Sequence, residues 1–218
     1  MTTIYLIRHA QAAGNVGHVF QGHVNSNLSP LGYAQLEYLA RRGQELHPDI
    51  VYSSPLKRAM ETAKAVNRFV GAPLLSEPGL LEIDGGRWEG KGWDVFQKED
   101  PVMANHFFDS PGYFQAPGGE AMSHVYQRMV QCFKQIVKSN QDKTICIVSH
   151  GCALGTLVTW LDHRPVEAMR CEDLSHNTGV TTVTEENGVF TLVKFDDLSH
   201  LPKEMQTGFT KTKPKQGR

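Results

Sequence analysis

Two histidines follow directly on apolar runs rich in strand-forming residues. Thr3 to Ile7 leads into Arg8-His9, and Thr144 to Val148 leads into Ser149-His150-Gly151. In parallel α/β sheets, ligands bind in the crevice outside the carboxyl ends of the strands, so two such ends on neighbouring strands would face one crevice. His150 also opens a helical pattern that runs to about Leu161, where free backbone N–H groups and the helix dipole favour an anion such as phosphate. Taken alone, either histidine reads as a buried, hydrogen-bonded side chain. Two at strand ends, one of them beside an arginine, point instead to a site.

Other chemistries find less support. His18, His23, His47, His106, His124, His163, His176 and His200 show no metal-ligand spacing such as His-Glu-x-x-His, so no metal site is expected. No Gly-x-Ser-x-Gly elbow is present to carry a serine nucleophile.

The elements around these motifs alternate between strand and helix, the pattern of a mostly parallel sheet with helices on both faces. After the strand at Thr3–Ile7, Pro30–Arg42 reads as a helix with Ser29 as N-cap, Pro30 in the first turn and Gly43 at its end. Ile50–Tyr52 is a short strand. Ser53-Ser54-Pro55 starts a helix predicted over Leu56–Val70, with Ala59, Ala63, Val66 and Val70 close to one face. Val180–Thr184 and Val189–Phe195 form a hairpin that turns through Glu-Glu-Asn187-Gly188.

Between these core elements, Gly92 to Ala121 holds three prolines, four glycines and the aromatics Trp93, Phe96, Phe107, Phe108, Tyr113 and Phe114, a composition that suits an inserted lid better than sheet core. A helix is predicted from Ala121 to Val137. From Lys203 to Arg218 the chain carries five Lys or Arg against one Glu and reads as a basic, solvated, disordered tail. The expected organisation is one domain over residues 1–202 in a three-layer α/β sandwich, with residues 92–121 as lid and 203–218 as tail.

Composition narrows the partners. At 218 residues and 40% hydrophobic, the chain can bury a full single-domain core. A net charge of −1 argues against nucleic-acid binding through bulk charge, so any anion site must be local. No apolar run approaches the roughly 20 residues that span a bilayer, and no leader pattern stands at the N-terminus. Cys132, Cys146, Cys152 and Cys171 lack Cys-x-x-Cys spacing and read as reduced thiols, which fits a cytoplasmic protein. Nothing in the sequence speaks to an oligomer.

Four separated blocks carry a family resemblance. They are Leu6-Ile7-Arg8-His9-Ala10-Gln11 with Asn15; Tyr52-Ser53-Ser54-Pro55-Leu56-Lys57-Arg58-Ala59 with Glu61-Thr62-Ala63; Leu81-Glu82-Ile83-Asp84 with Trp88-Glu89-Gly90; and Val148-Ser149-His150-Gly151. In this order, from Ile4 to about Leu201, the chain resembles the histidine phosphatase superfamily, also called phosphoglycerate mutase-like. The resemblance implies that His9 is a nucleophile that becomes phosphorylated, that Arg8 and Arg58 bind the phosphoryl oxygens, that His150 completes the pocket opposite and that Glu82 donates a proton. It further implies that Asn15, Gln21-Gly22 and Gly151 contact the substrate. The first motif departs from the usual Arg-His-Gly, because Ala10 follows the histidine; a backbone shape reserved for glycine would be strained there.

These residue types suit the reaction on physical grounds. A phosphomonoester dianion repels nucleophiles, so fixed positive charge must be gathered around phosphorus. Guanidinium groups fork two donors onto paired oxygens and so align the phosphorus as well as neutralising it. His9 must be neutral at the attacking nitrogen, its other nitrogen donating to a carbonyl, whereas His150 is expected to be protonated. Glu82 is expected to be pushed toward its acid form by the phosphate dianion and by partial burial, against the arginines, with Asp84 as the competing acid. Glu89 reads as an ion-pairing or loop-anchoring group.

The third block and Pro117-Gly118-Gly119-Glu120 are similar to the cofactor-independent phosphatase branch, with Ala121 in place of its usual serine. That implies hydrolysis of a small phosphomonoester without a cofactor. Phosphoryl transfer of the mutase kind on the same site is the alternative, and a catalytically silent phosphate-binding module is the reading from another class. Phe107, Phe108 and Tyr113 are candidate contacts for the leaving group.

Overall fold

A computed structural model describes residues 1–209. Its six strands are β1 (Thr2–Arg8), β2 (Ile50–Ser53), β3 (Leu74–Ser76), β4 (Thr144–Ser149), β5 (Val180–Glu186) and β6 (Val189–Asp197). They form one sheet in the order β3-β2-β4-β1-β5-β6. The first four run parallel, and the β5–β6 hairpin joins antiparallel to β1. The described helices are α1 (Ala13–Val16), α2 (Pro30–Leu46), α3 (Lys57–Val66), α4 (Trp93–Glu99), α5 (Pro101–Asp109), α6 (Met122–Lys138) and α7 (Gly151–Leu161).

Side-chain alternation along the central strands explains the layers. Ile4, Leu6, Ile145 and Ile147 point into a core shared with Met129, Phe133, Leu154 and Leu157 of α6 and α7. Ile7, Cys146 and Val148 point the other way, into a core with Leu36, Leu39, Ala59 and Ala63 of α2 and α3. Strands buried on both faces read as continuous apolar runs, which is why β1 and β4 were visible in the sequence.

Element ends differ from expectation in instructive ways. Ser29 does cap α2, its side chain accepting from the Gly32 N–H at 3.0 Å. Gly43, however, does not end that helix, which continues to Leu46 and closes on His47 in the left-handed region at φ 44°. The glycine serves packing instead: a Cβ at position 43 would lie 2.0 Å from the Val66 carbonyl oxygen, so α2 and α3 cross there without side-chain clearance. Helix α3 begins at Lys57 and stops at Val66 rather than reaching Val70, because the Asn67 side chain takes the Ala72 N–H and donates to the Ala72 carbonyl. Helix α6 starts at Met122, one residue after Ala121, which offers no side-chain cap.

The stretch 92–121 folds into α4, α5 and a single turn at Pro111–Tyr113. It is pinned by an aromatic cluster in which Trp88 stacks on Phe96 at 4.3 Å and Phe20 meets Phe107 at 5.2 Å. The expected tail begins differently from its composition. Residues 203–209 lie against the domain: the Asn177 N–H donates to the Thr207 carbonyl at 2.7 Å, Gln35 donates to the Met205 carbonyl at 2.8 Å, and Phe209 packs on Trp93. Paired backbone groups and a half-buried ring outweigh the local charge there. The rest of the expected tail, 210–218, lies outside the described residues.

Candidate active site

Strand register brings the two histidine motifs together. Arg8 pairs with Ser149 at the carboxyl ends of β1 and β4, and the His9 N–H donates to the Ser149 carbonyl at 3.0 Å. One residue further on, the His9 and His150 rings stand 5.2 Å apart between centroids. Ala10 keeps a negative φ, so the missing glycine costs no backbone strain. Its N–H donates to Thr62 Oγ1 at 3.0 Å, and the same hydroxyl donates to the Arg58 carbonyl, so one threonine of α3 spaces the first two blocks.

The protonation of His9 follows from its partners. Nδ1 lies 2.7 Å from the Ala10 carbonyl oxygen, which can only accept, so Nδ1 bears the hydrogen. Arg58 Nε, which can only donate, lies 3.3 Å from His9 Nε2, so that nitrogen presents its lone pair. Burial first, then Arg58 and Arg8, hold the imidazole well below its ordinary range, so it is neutral at physiological pH.

Both arginines are buried and held by carbonyls. Arg8 donates to the Ser175 carbonyl at 2.6 Å, while its Nε has no protein partner. Arg58 donates to the carbonyls of Gly22 at 2.7 Å and Val24 at 2.8 Å, and burial lowers its pKa to about 10, which leaves it charged. Gly22 adopts φ +48°, and a Cβ there would stand 2.2 Å from Glu89 Oε1, so only glycine lets the loop pass between that carboxylate and Arg58.

Glu82 occupies the start of α7. Its carboxylate accepts from the backbone N–H groups of Cys152 at 3.2 Å and Ala153 at 3.0 Å, and from its own neighbour Ile83 at 2.9 Å. The helix N-terminus expected to hold a phosphate therefore holds the carboxylate, which sits with Arg8, His9 and Arg58 on the wall of one pocket. Asn15, Gln21, Gly22 and Gly151 line the same pocket.

His150 departs from expectation. It is fully buried and absent from that wall, and its Nε2 lies 2.7 Å from Ser54 Oγ. Burial, followed by Arg58, His9 and Arg8, keeps it well below the ordinary histidine range, so in the ligand-free protein it is neutral rather than protonated. Its Nδ1 has no protein partner.

Several positioning groups escaped the sequence reading. Asn177, in the turn before β5, donates from Nδ2 to the His9 carbonyl at 2.9 Å, and Thr178 N–H donates to the Arg8 carbonyl at 3.0 Å. Arg128 of α6 pairs with Glu120 and donates to the carbonyls of Leu81 and Glu82, bracing the loop that carries Glu82. Ser54 and Thr62 lay inside quoted blocks without a role. Glu89 is a loop anchor, accepting from the N–H groups of His23 and Gly85. Asp84 accepts from Gly86 N–H at 2.8 Å and does not line the pocket.

His23, Asp84 and Glu89 have ligand-type atoms within 4.8 Å of one another. All three are engaged in the loop: His23 Nε2 lies 2.8 Å from the Glu82 carbonyl, and both carboxylates accept backbone N–H groups. Of the lid aromatics, Phe107 lines the pocket, Phe108 does not and Tyr113 is exposed.

This sheet brings two histidines to the carboxyl ends of its central strands, beside the buried Arg8 and Arg58, and comparison with known proteins gives the family. Residues 4–198 match the family described as the histidine phosphatase superfamily (branch 1), and the chain belongs to that family. It is a hydrolase of that superfamily. A relative from Arabidopsis thaliana, metal-independent phosphoserine phosphatase, is 30% identical over 96% of this chain and 88% of its own. A relative from Erwinia tasmaniensis, "Probable phosphoglycerate mutase GpmB", is 30% identical over 78% of this chain and 79% of its own. The solved structure of Bacillus stearothermophilus YhfR superposes with a TM-score of 0.88 at 31% identity, covering 92% of this chain and 99% of that one. No helix among the described residues is long and apolar enough to cross a membrane.

Proposed function

We propose that the chain hydrolyses small phosphomonoesters through a phosphohistidine on His9 Nε2. The observation that carries this reading is the double constraint on His9: a carbonyl fixes the hydrogen on Nδ1, and a guanidinium faces the lone pair on Nε2. Arg8, with an uncommitted Nε, and Arg58 supply permanent charge for the phosphoryl oxygens.

In the first step, His9 Nε2 attacks phosphorus in line, a P–N bond forms and the P–O ester bond breaks. Glu82 gives its proton to the departing alkoxide, which leaves as the alcohol. In the second step, water attacks the phosphohistidine, Glu82 takes back a proton, the P–N bond breaks and inorganic phosphate is released. A bound dianion raises the electrostatic favour for a charged His150 behind the wall. The buried Cys132, Cys146 and Cys152 are free thiols, which fits a reducing, cytoplasmic setting.

The test is release of phosphate from p-nitrophenyl phosphate between acid and neutral pH. Turnover far above that of His9→Ala supports the hydrolase reading. Equal, background rates for both would make the pocket a silent phosphate-binding module. Exchange of phosphoryl between phosphoglycerate isomers faster than release of phosphate would make the enzyme a mutase, as the Erwinia relative is named.

A further inference from the structure

Beyond the phosphate end, the described lining of the pocket carries no fixed charge. Every lining Arg, Lys, Asp or Glu is already committed: Arg8 and Arg58 to the phosphoryl group, Glu82 to the proton. The remaining wall is largely apolar and aromatic, formed by Val19, Phe20, Trp93, Phe107, Leu174 and Phe209, and its titratable groups are His18 and the Cys152 thiol. Among the described residues, a carboxylate on the leaving group would therefore meet no spare cation, and an ammonium no spare carboxylate. Desolvating either against rings without a partner is costly.

The wall is also built, not incidental. Phe209 stands 5.6 Å from Trp93, 5.9 Å from Phe107 and 6.0 Å from Phe108, ring centre to ring centre. The segment leading to it is fastened by Asn177 N–H on the Thr207 carbonyl and by Gln35 on Thr207 Oγ1 and the Met205 carbonyl. Trp93 is fixed in turn by its N–H on the His18 carbonyl at 2.9 Å and by the His18 ring at 5.0 Å.

We propose that this hydrolase takes phosphomonoesters of apolar, ring-bearing alcohols without a charged group, and that Trp93 and Phe209 set that preference. The inference rests on the hydrolase reading above and differs from the substrate in the name of the phosphoserine phosphatase relative.

The test uses esters of ordinary alkyl alcohols, so that leaving-group acidity does not decide the order: 2-phenylethyl phosphate, ethyl phosphate, phosphoethanolamine and phosphoserine. The full chain should prefer 2-phenylethyl phosphate over phosphoserine by roughly tenfold or more in kcat/KM. Trp93→Ala and Phe209→Ala should each remove most of the advantage of 2-phenylethyl phosphate over ethyl phosphate while leaving ethyl phosphate itself within about twofold, with Trp93→Phe restoring part of it.

Faster turnover of phosphoserine than of 2-phenylethyl phosphate would overturn the proposal with the hydrolase reading intact. So would equal losses on both alkyl esters in the two alanine variants. Failure on all four esters and on p-nitrophenyl phosphate would instead remove the hydrolase reading itself. The comparison on the unaltered chain stands even where a variant does not fold.

Discussion

Arg58 Nε lies 3.3 Å from His9 Nε2, and a group that can only donate thereby marks the nitrogen of His9 that presents its lone pair. The same guanidinium holds the Gly22 and Val24 carbonyls through its two terminal nitrogens. It orients His9 and braces the loop over the pocket at once.

That dual role predicts that Arg58→Lys is not conservative. A lysine keeps a charge but not the planar fork, so kcat/KM should fall by roughly 10²- to 10³-fold, in the range seen on loss of one preorganised donor. Steady-state kinetics with p-nitrophenyl phosphate checks this, with circular dichroism to confirm the fold. A loss below about tenfold would mean that charge alone suffices.

Glu82→Gln should slow ethyl phosphate far more than p-nitrophenyl phosphate, because an alkoxide needs a proton and p-nitrophenolate scarcely does. The expected loss on the alkyl ester is roughly 10²- to 10⁴-fold. Equal losses on the two esters would show that Glu82 positions the start of α7, through Cys152 and Ala153, without acting as acid.

Stability should fall on acidification. His9, His150 and His200 are held below 6.5 in the fold, His200 at about 4, chiefly by burial. The unfolded chain, with ordinary histidines, therefore binds more protons below pH 6.5, so stability present above 6.5 is lost as pH drops toward the folded values. Each group contributes a slope of up to about 1.4 kcal/mol per pH unit. Thermal denaturation from pH 8 to 5 measures it, and His200→Gln should flatten the curve. A melting temperature constant between pH 7 and 5 would contradict the buried, neutral state of these rings.

Ala121 leaves the first turn of α6 without a side-chain cap. Ala121→Ser should stabilise the fold by about 0.5–2 kcal/mol, raising the Tm by a few degrees for a chain of this size. An unchanged or lowered Tm would show that water or the neighbouring turn already satisfies those N–H groups.

What could be read in advance divides by the range of the interactions. His9 and His150 were legible because apolar strands announce their own ends, and Arg58 and Glu82 because their blocks are distinctive. Asn177, Thr62 and Arg128 were not, since each acts through a backbone group far away in sequence: Asn177 is 168 residues from His9, and Arg128 is 47 from Leu81. Gly43 misled for a related reason. A glycine late in a helical pattern suits a C-terminus, yet here its lack of a side chain admits the Val66 carbonyl of another helix. The charge of 203–218 spoke for solvent, but composition does not show that Thr207 and Phe209 meet Asn177 and Trp93.

The central claim is the covalent intermediate on His9. Rapid quench of the full chain with a 32P-labelled phosphomonoester should trap acid-labile, alkali-stable label on Nε2 of His9, the nitrogen left free by the Ala10 carbonyl. His9→Ala should carry none. Equal label in His9→Ala, or label on a hydroxyl or thiol side chain, would contradict the account.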